Sequence, residues 1–328
     1  MKRENGAMQA IRFAATAGPE VLEMVDVDVA APGPGQVLLR QTAIGLNFID
    51  TYHRSGLYPM PLPSGLGLEA AGVVEASGPG VLLAPGTRVG YCWGPIGAYA
   101  THRVIAADRV VVLPDAVSDA AAAAGMLKGC TTEFLVERCA RVQPGQWALV
   151  QAAAGGVGLL LVQWLKHIGA SVIAVAGSAE KVAMAVAHGA DHGIVQGDDL
   201  AQQVRGLTGG RGVDVVFDGV GKVTFEASLD SLTKRGLLVS YGNASGAVGP
   251  VDFGILARKG SLFVTRPTLF DYYVTRDEIE RHGGRVLELI GSGVLNINID
   301  QQYALKNAAQ AHRDLEGRRT TGSTILIP

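Results

Sequence analysis

The segment 147–158 carries the residues whose types and spacing most directly indicate chemistry. Its apolar run ends in a turn of small residues, where Ala153, Gly155 and Gly158 occupy the three key positions of a G-x-G-x-x-G pattern. Gly155 would let the backbone approach a pyrophosphate, and Gly158 would let the following helix pack tightly on the strand. Backbone N–H groups at the helix start would then face the phosphate charge. The segment predicts a dinucleotide site; because alanine replaces the first glycine, a ligand-free strand–helix turn is the alternative.

The end of the next predicted strand, 171–176, indicates which nicotinamide cofactor would bind. NAD-binding units usually carry Asp or Glu at this place, to hold the ribose hydroxyls. Here Gly177 and Ser178 follow the strand, and the first acid, Glu180, lies in the next helix beside Lys181. A hydroxyl and an ammonium group suit a 2′-phosphate, so the pattern predicts NADPH. The alternative is that Lys181 only occupies a solvated helix face.

The elements before this turn form a β-rich region. Short runs rich in Val, Ile, Thr and Tyr, separated by Pro- and Gly-rich turns, lie at 36–47, 70–77, 88–93 and 98–106. This pattern predicts a compact, mostly antiparallel barrel or sandwich. After Ser118, a good helix start, helical sequence runs to about residue 140.

From residue 147 onward, strands and helices alternate. The predicted strands are 147–152, 171–176, 213–220 and 236–242, and the predicted helices are 155–168, 179–188, 200–207 and 223–234. Strands that are apolar on both faces and alternate with helices indicate a doubly wound α/β domain. Two amphipathic helices, 278–290 and 306–316, and a strand, 323–327, follow. The domain assignment is 1–128 with 268–328 for the β-rich domain and 129–267 for the cofactor domain.

Composition excludes several classes of function. The chain of 328 residues has 28 basic and 30 acidic residues with no block of like charges, so neither nucleic acid nor a membrane surface is an expected partner. Three cysteines are too few for a disulfide framework or a four-thiolate zinc lobe. The start of the chain, 1–17, has no continuous apolar run of the signal-peptide type, and no stretch is long enough for a membrane span. The expected location is the cytoplasm.

Several ordered motifs extend over nearly the whole chain. They include GPEVL at 18–22, AIGLNFIDTY at 43–52, SGLYP at 55–59, GLEAAG at 67–72, SYGN at 240–243 and GS at 322–323. In these motifs the chain resembles the zeta-crystallin-like quinone oxidoreductases of the medium-chain dehydrogenase/reductase superfamily. The resemblance implies a GroES-like catalytic domain, a Rossmann cofactor domain and NADPH as the cofactor. It also implies a homodimer that pairs through a strand near 261–266.

The resemblance implies a set of site residues. Asn47 and Tyr52 are the expected catalytic residues at the nicotinamide end. The expected cofactor-binding residues are Asn47, Phe48, Asp50, Tyr52, Lys128, Thr131, Ala154, Gly155, Gly156, Val157, Gly177, Ser178, Lys181, Ser240, Tyr241, Gly242, Asn243, Val264, Thr265, Arg266, Gly322 and Ser323.

The chain departs from the zinc-dependent relatives at two ligand positions. Asn47 stands where they place a cysteine, and Leu68 where they place a histidine, so no zinc site is expected. His188 and His192 have helical spacing, but Gly189 and the expected helix end lie between them, which speaks against a shared metal.

Two further positions differ from many relatives. Glu133 replaces a tyrosine near the substrate side, and Val195-Gln196 replaces a stretch that carries a tyrosine near the 2′-phosphate. The first difference is expected to affect which quinone or enone fits, and the second the strictness of the preference for NADPH.

The activity that this resemblance implies is transfer of reducing equivalents from NADPH to a quinone. Water or Tyr52 would supply the proton, and Asn47 an amide donor. An alternative is reduction of the C=C bond of α,β-unsaturated carbonyls. A non-catalytic NADPH-binding structural or RNA-binding role is a third hypothesis, which the neutral charge and the 6% of aromatic residues disfavour.

Overall fold

A computed structural model of the protein describes residues 7–328, which divide into two compact units. The first contains the chain up to Leu127 together with Tyr273–Pro328, and the second is Lys128–Tyr272. The sequence prediction for 1–17 falls partly on residues 1–6, outside the described residues. Within the described part of the chain, no helix is both long and apolar enough to cross a membrane.

The strands are β1 (Gln9–Phe13), β2 (Glu23–Asp26), β3 (Gln36–Leu46), β4 (Ser64–Gly65), β5 (Ala70–Ser77), β6 (Arg88–Tyr91), β7 (His102–Ala106), β8 (Val111–Val112), β9 (Trp147–Val150), β10 (Ser171–Ala176), β11 (His192–Val195), β12 (Val213–Asp218), β13 (Leu232–Ser240), β14 (Phe263–Thr265), β15 (Ile299–Ala304) and β16 (Ser323–Ile327). The α-helices are α1 (Phe48–Ser55), α2 (Asp119–Glu133), α3 (Gly156–His167), α4 (Ala179–Ala187), α5 (Leu200–Leu207), α6 (Phe225–Ser231), α7 (Gly254–Arg258), α8 (Arg276–Glu278), α9 (Gly284–Gly291) and α10 (Ala308–Glu316). Short 3₁₀ segments at Pro19–Val21, Ala107–Arg109, Leu269–Asp271 and Leu305–Asn307, and π-helical turns at Phe134–Cys139 and Ile279–Gly283, complete the elements.

The first unit is β-rich. Its larger sheet has the order β15-β16-β3-β5-β6-β8, with β7 also paired to β3, and every pair except β15–β16 is antiparallel. Strands β2, β1 and β4 form a second, smaller sheet. The long strand β3 buries Val37, Leu39 and Ile44 in the core of this unit. Because β3 runs directly into α1, it fixes where that helix begins.

The second unit is a parallel sheet with the order β11-β10-β9-β12-β13-β14. Counted along the chain within this unit, that order is 3-2-1-4-5-6, the doubly wound arrangement of dinucleotide-binding domains. Strand order reverses between β9 and β12, and ligands of such sheets bind at the carboxyl ends of the strands beside that point. The apolar residues of β9, β10 and β12 are buried, as the sequence indicated. The predicted α/β fold class is confirmed.

Several element bounds differ from prediction. The helix predicted over 223–234 ends at Ser231, because Leu232 already pairs with Val213 as the first residue of β13. Strands β1, β2, β4, β8, β11 and β15 were not predicted; all of them except β15 have only two to five residues, too few for a clear periodicity. His192 lies in β11 with its ring stacked on Trp147, whereas His188 caps the end of α4.

Candidate active site

The turn after β9 is held in a fixed shape by backbone hydrogen bonds. Ala152 adopts a left-handed φ of 51°, and its carbonyl accepts a hydrogen bond from the Gly155 N–H at 2.9 Å. Ala153 N–H donates to the carbonyl of Val175 in β10 at 2.9 Å. Gly155 is the N-cap of α3, and its carbonyl accepts from Leu159 N–H at 2.8 Å. The exposed Gly155 therefore stands at the amino end of a helix, where backbone N–H groups attract anions.

Gly158 allows α3 to approach this turn closely. A Cβ atom at this position would overlap the carbonyl oxygen of Ala152 and lie 2.8 Å from the Cα of Ala153. Both are backbone atoms, so no side-chain rotation could relieve the overlap. The predicted role of Gly158 in helix–strand packing thus has a direct steric cause.

The carboxyl end of β10, next to β9 in the sheet, presents an open position. Gly177 is exposed, and no heavy atom lies within 4 Å of where its Cβ would be. Ser178 caps α4, and its Oγ accepts a hydrogen bond from Lys181 N–H at 3.4 Å. The cap fixes Lys181 as the third residue of α4, four positions after Gly177. Gln196 is exposed just beyond β11.

On the other side of β9, the ends of β13 and β14 carry the next group of predicted residues. A Cβ at Gly219 would lie 2.8 Å from the ring of Tyr241, so the ring packs directly on that glycine. Arg266 Nη1 donates to the carbonyl of Ser240 at 2.9 Å, which ties the end of β14 to β13. Thr265 pairs with Val239 in the sheet register. The carboxyl ends of the parallel strands thus carry four groups of predicted residues: 154–157, 177–181, 240–243 and 264–266.

A buried carboxylate at the carboxyl ends of these strands was not predicted from the sequence. Asp218, at the end of β12, is 1% exposed and accepts hydrogen bonds from the N–H groups of Val220 and Gly221 and from the hydroxyls of Thr224 and Ser228. Gln151 Nε2 in turn donates to Ser228 Oγ at 3.2 Å. This network fixes the turn that carries Gly219. An acid that ends an apolar strand immediately before a glycine is the signal that could have identified it.

In the first unit, Asn47 and Asp50 stand at the start of α1. The backbone N–H of Asn47 donates to Asp50 Oδ2 at 2.9 Å. The Asn47 side chain donates through Nδ2 to Glu69 Oε2 at 2.8 Å, and the fully buried Glu69 also accepts from Leu127 N–H at 2.5 Å. Glu69 had no predicted role, although a lone acid inside an apolar run was a usable signal.

Tyr52, on the same helix, belongs to an aromatic cluster. Its ring meets those of Phe48 and Tyr58 edge to face, with centroids 5.6 and 5.1 Å away. Tyr52 is half-buried, so part of its surface is available to a ligand.

Gly322 and Ser323 lie beside this helix start. Gly322 has a left-handed φ of 54°, and Ser323 Oγ donates to the carbonyl of Ala124 at 3.1 Å. Strand β16 pairs antiparallel with β3, with Thr324 opposite Leu46, so Ser323 is adjacent to the β3–α1 junction. The predicted residues of this unit therefore meet around one helix start.

Lys128, Thr131 and Glu133 follow one another on the part of α2 that belongs to the second unit. Lys128 is buried and Thr131 is half-buried. Glu133 is fully buried and forms an ion pair with Arg138 at 2.8 Å. The Arg138 guanidinium also lies 5.2 Å from the ring centroid of Tyr272. The Glu133 carboxylate is thus held inside this unit by its ion pair with Arg138.

Comparisons with known proteins define the class. Residues 33–115 match the alcohol dehydrogenase GroES-like domain, and residues 156–280 match the zinc-binding dehydrogenase family. Together with the doubly wound sheet, these matches place the chain in the medium-chain dehydrogenase/reductase superfamily.

Individual relatives narrow this class. The chain is 50% identical to a quinone oxidoreductase of Pseudomonas aeruginosa over 97% of this chain and 99% of that protein. It is 43% identical to a 2-haloacrylate reductase of a Burkholderia species, over 95% of this chain and 96% of that protein. The crystal structure of Escherichia coli quinone oxidoreductase complexed with NADPH is 46% identical, with a TM-score of 0.95 over 98% of this chain and 100% of that one. The chain belongs to the quinone oxidoreductase family.

Proposed function

We propose that the protein reduces quinones with NADPH. The observation that carries this proposal is the Gly155 turn at the strand-order reversal of a doubly wound sheet, in a chain whose relatives are quinone oxidoreductases along their full length. NADPH, when bound, supplies the hydride for such a reduction. The protein binds the cofactor and the quinone, orients them towards each other and excludes water. This positioning supplies much of the rate acceleration in reactions of this kind.

The residues at the carboxyl ends of the parallel strands fit a dinucleotide. The N–H groups around Ala154, Gly155, Gly156 and Val157 suit a pyrophosphate, since they lie at the start of the twelve-residue helix α3. The open space at Gly177, together with Ser178 and Lys181, suits a ribose with a 2′-phosphate. We assign Ser240, Tyr241, Gly242, Asn243, Val264, Thr265 and Arg266 to the remaining contacts of the cofactor.

We assign Asn47, Phe48, Asp50, Tyr52, Lys128, Thr131, Gly322 and Ser323 to the nicotinamide end. Tyr52 or water supplies the proton to the reduced quinone, and Asn47 offers an amide N–H. The domain assignment, 1–128 with 268–328 for catalysis and 129–267 for the cofactor, is part of this proposal.

We further propose that the activity needs no zinc. The Asn47 amide, where a thiolate would be required, is already bound to Glu69, and Leu68 offers no donor atom. Across residues 7–328 no cluster of His, Cys, Asp and Glu side chains could hold a metal ion. The donor set therefore does not fit the zinc that the name of the matched family implies.

A substrate panel tests the function. With NADPH we expect turnover of naphthoquinone and phenanthrenequinone, measured as loss of absorbance at the NADPH band, at the same rate with and without a metal chelator. The 2-haloacrylate reductase relative makes C=C reduction the second candidate, so the panel includes 2-alkenals and 2-haloacrylate. Turnover of the alkenes alone would replace the proposal by that alternative, and loss of activity with the chelator would contradict zinc independence.

We propose that the protein is a homodimer that pairs through β14. This strand is at the open edge of the parallel sheet, and Phe263 and Val264 on it are exposed. An unpaired edge with exposed apolar side chains is a ready template for pairing with another chain.

Replacing Phe263, which has no assigned contact to the cofactor, with glutamate is expected to convert the dimer to a monomer, because the paired edge would bury a charge. Light scattering coupled to size exclusion gives the mass. The matched control is Leu82→Glu, which places the same charge at a fully exposed leucine in the other unit. A Phe263→Glu variant that remains dimeric would show that another surface forms the interface.

We also propose a cytoplasmic location. Within the described residues no disulfide links Cys92, Cys130 and Cys139, as a reducing compartment favours. Recovery of the protein outside the soluble cytoplasmic fraction of the cell would contradict this.

A further inference from the structure

A chain of buried polar side chains connects the two ends of α1 through α10. Its members are Asp50, Tyr99, His312, Arg54 and Glu316, which we call the α1 relay. Asp50, Tyr99, His312 and Arg54 are each at most 2% exposed, and Glu316 ends the chain at the surface. The proposed function assigns a role only to Asp50.

The hydrogen bonds of the α1 relay have one direction. Arg54 Nη1 lies 3.2 Å from His312 Nδ1, and since a guanidinium has no acceptor, His312 Nδ1 must accept. Burial, reinforced by the charge of Arg54, lowers the pKa of His312 to about 3, so the ring is neutral near pH 7. The single ring hydrogen is then on Nε2, which lies 3.1 Å from the Tyr99 hydroxyl. Tyr99 Oη accepts it and donates its own hydrogen to Asp50 Oδ2 at 3.0 Å.

Both ends of the relay are attached to α1. At the helix start, Asp50 Oδ2 also accepts from the backbone N–H of Asn47. At the helix end, Arg54 forms a bidentate pair with Glu316, at 2.9 and 2.6 Å, and donates to the carbonyl of Ala17. A change in the relay would therefore move the helix that carries Asn47 and Tyr52.

We infer that Tyr99 and His312 are positioning residues for quinone reduction, because they orient the Asp50 carboxylate and so fix the start of α1. This inference rests on the proposed function, in which Asn47 and Tyr52 act at the nicotinamide end. Neither Tyr99 nor His312 touches the reacting atoms in this role. Small displacements of groups that orient reactants can lower a rate by about 100-fold, so the relay affects turnover more than binding.

Tyr99→Phe tests the relay by removing one hydroxyl and keeping the ring. We expect kcat to fall about tenfold, within the range that displaced orienting groups produce. The Kd for NADPH should change less than about threefold, because the proposed pyrophosphate and ribose contacts lie in the second unit. Steady-state kinetics and fluorescence titration measure the two constants separately.

Tyr91→Phe is the matched control. Tyr91 is also a fully buried tyrosine of the same unit, and its hydroxyl donates to Gln41 and accepts from Arg103, outside the relay. The control loses a buried hydroxyl of the same kind, with a similar fall in Tm, and should keep kcat. Equal kcat values in Tyr99→Phe and Tyr91→Phe would overturn the inference.

His312 gives a second test through rescue. Glutamine can donate and accept at the same time, as the neutral ring does, whereas leucine can do neither. We expect His312→Gln to retain most of kcat and His312→Leu to lose about tenfold, in line with Tyr99→Phe. Equal kcat values in the two His312 variants would overturn the inference that the relay positions α1. The proposed function would still stand if the wild type reduced quinones. A wild type that reduced no quinone would overturn both.

Discussion

Gly158→Ala is expected to raise the Kd for NADPH more than about 100-fold, equivalent to about 2.7 kcal/mol. The added methyl group would overlap the carbonyl oxygen of Ala152, so α3 must move away from the turn that precedes it. Overpacking against atoms that cannot rotate away costs about 1–3 kcal/mol in stability, and occasionally more. The same movement displaces the N–H groups proposed to bind the pyrophosphate. Fluorescence titration and thermal unfolding measure the two consequences.

Gly206→Ala is the matched control for this substitution. Gly206 lies on the exposed face of α5, and no heavy atom is within 4 Å of its Cβ position. Alanine is favoured over glycine inside a helix by about 0.5–1 kcal/mol, so this variant should gain stability and keep its affinity for NADPH. A Gly158→Ala protein that binds NADPH as the control does would contradict the assignment of this turn to the pyrophosphate.

Lys181→Ala is expected to raise the Kd for NADPH about 10–100-fold and to leave the Kd for NADH unchanged. A hydrogen bond to a charged group contributes about 1.5–3 kcal/mol, and only NADPH carries the 2′-phosphate. Ser178 sets this contact by capping α4, which keeps Lys181 in the first turn. Parallel titrations of both cofactors measure the ratio of their affinities.

Lys306→Ala serves as the control, because Lys306 is an exposed lysine in the other unit and has no assigned role. It removes the same charge from the protein, so it shows how much of the effect is long-range electrostatics. If Lys181→Ala weakened NADPH and NADH equally, the phosphate pocket would have to be assigned elsewhere while the cofactor fold would stand. Added salt should weaken NADPH binding to the wild type more than to Lys181→Ala.

The shape of the Gly155 turn could be predicted from the sequence because its requirements are local. Gly155 and Gly158 are needed for backbone approach within a few residues of each other, and the apolar run before them and the helix after them show the context. The preference for NADPH was predicted in the same way, from the absence of an acid after the second strand. The alternation of apolar strands and helices likewise predicted a doubly wound sheet.

Only the tertiary structure decided which distant residues join these local elements. Strand order, and with it the placement of Asp218 beside the Gly155 turn, depends on pairing between segments far apart in the chain. His312 is a polar residue of the predicted amphipathic helix 306–316, and periodicity cannot tell a solvated polar face from a buried one. Arg54 belongs to α1, a helix that was not predicted from the sequence. Their burial follows from the packing of α10 against α1 and from the hydrogen bonds that satisfy each group there. The sequence by itself determined the local backbone chemistry. The polar network that holds α1 exists only because folding removes its side chains from water, so that they can form hydrogen bonds only with one another.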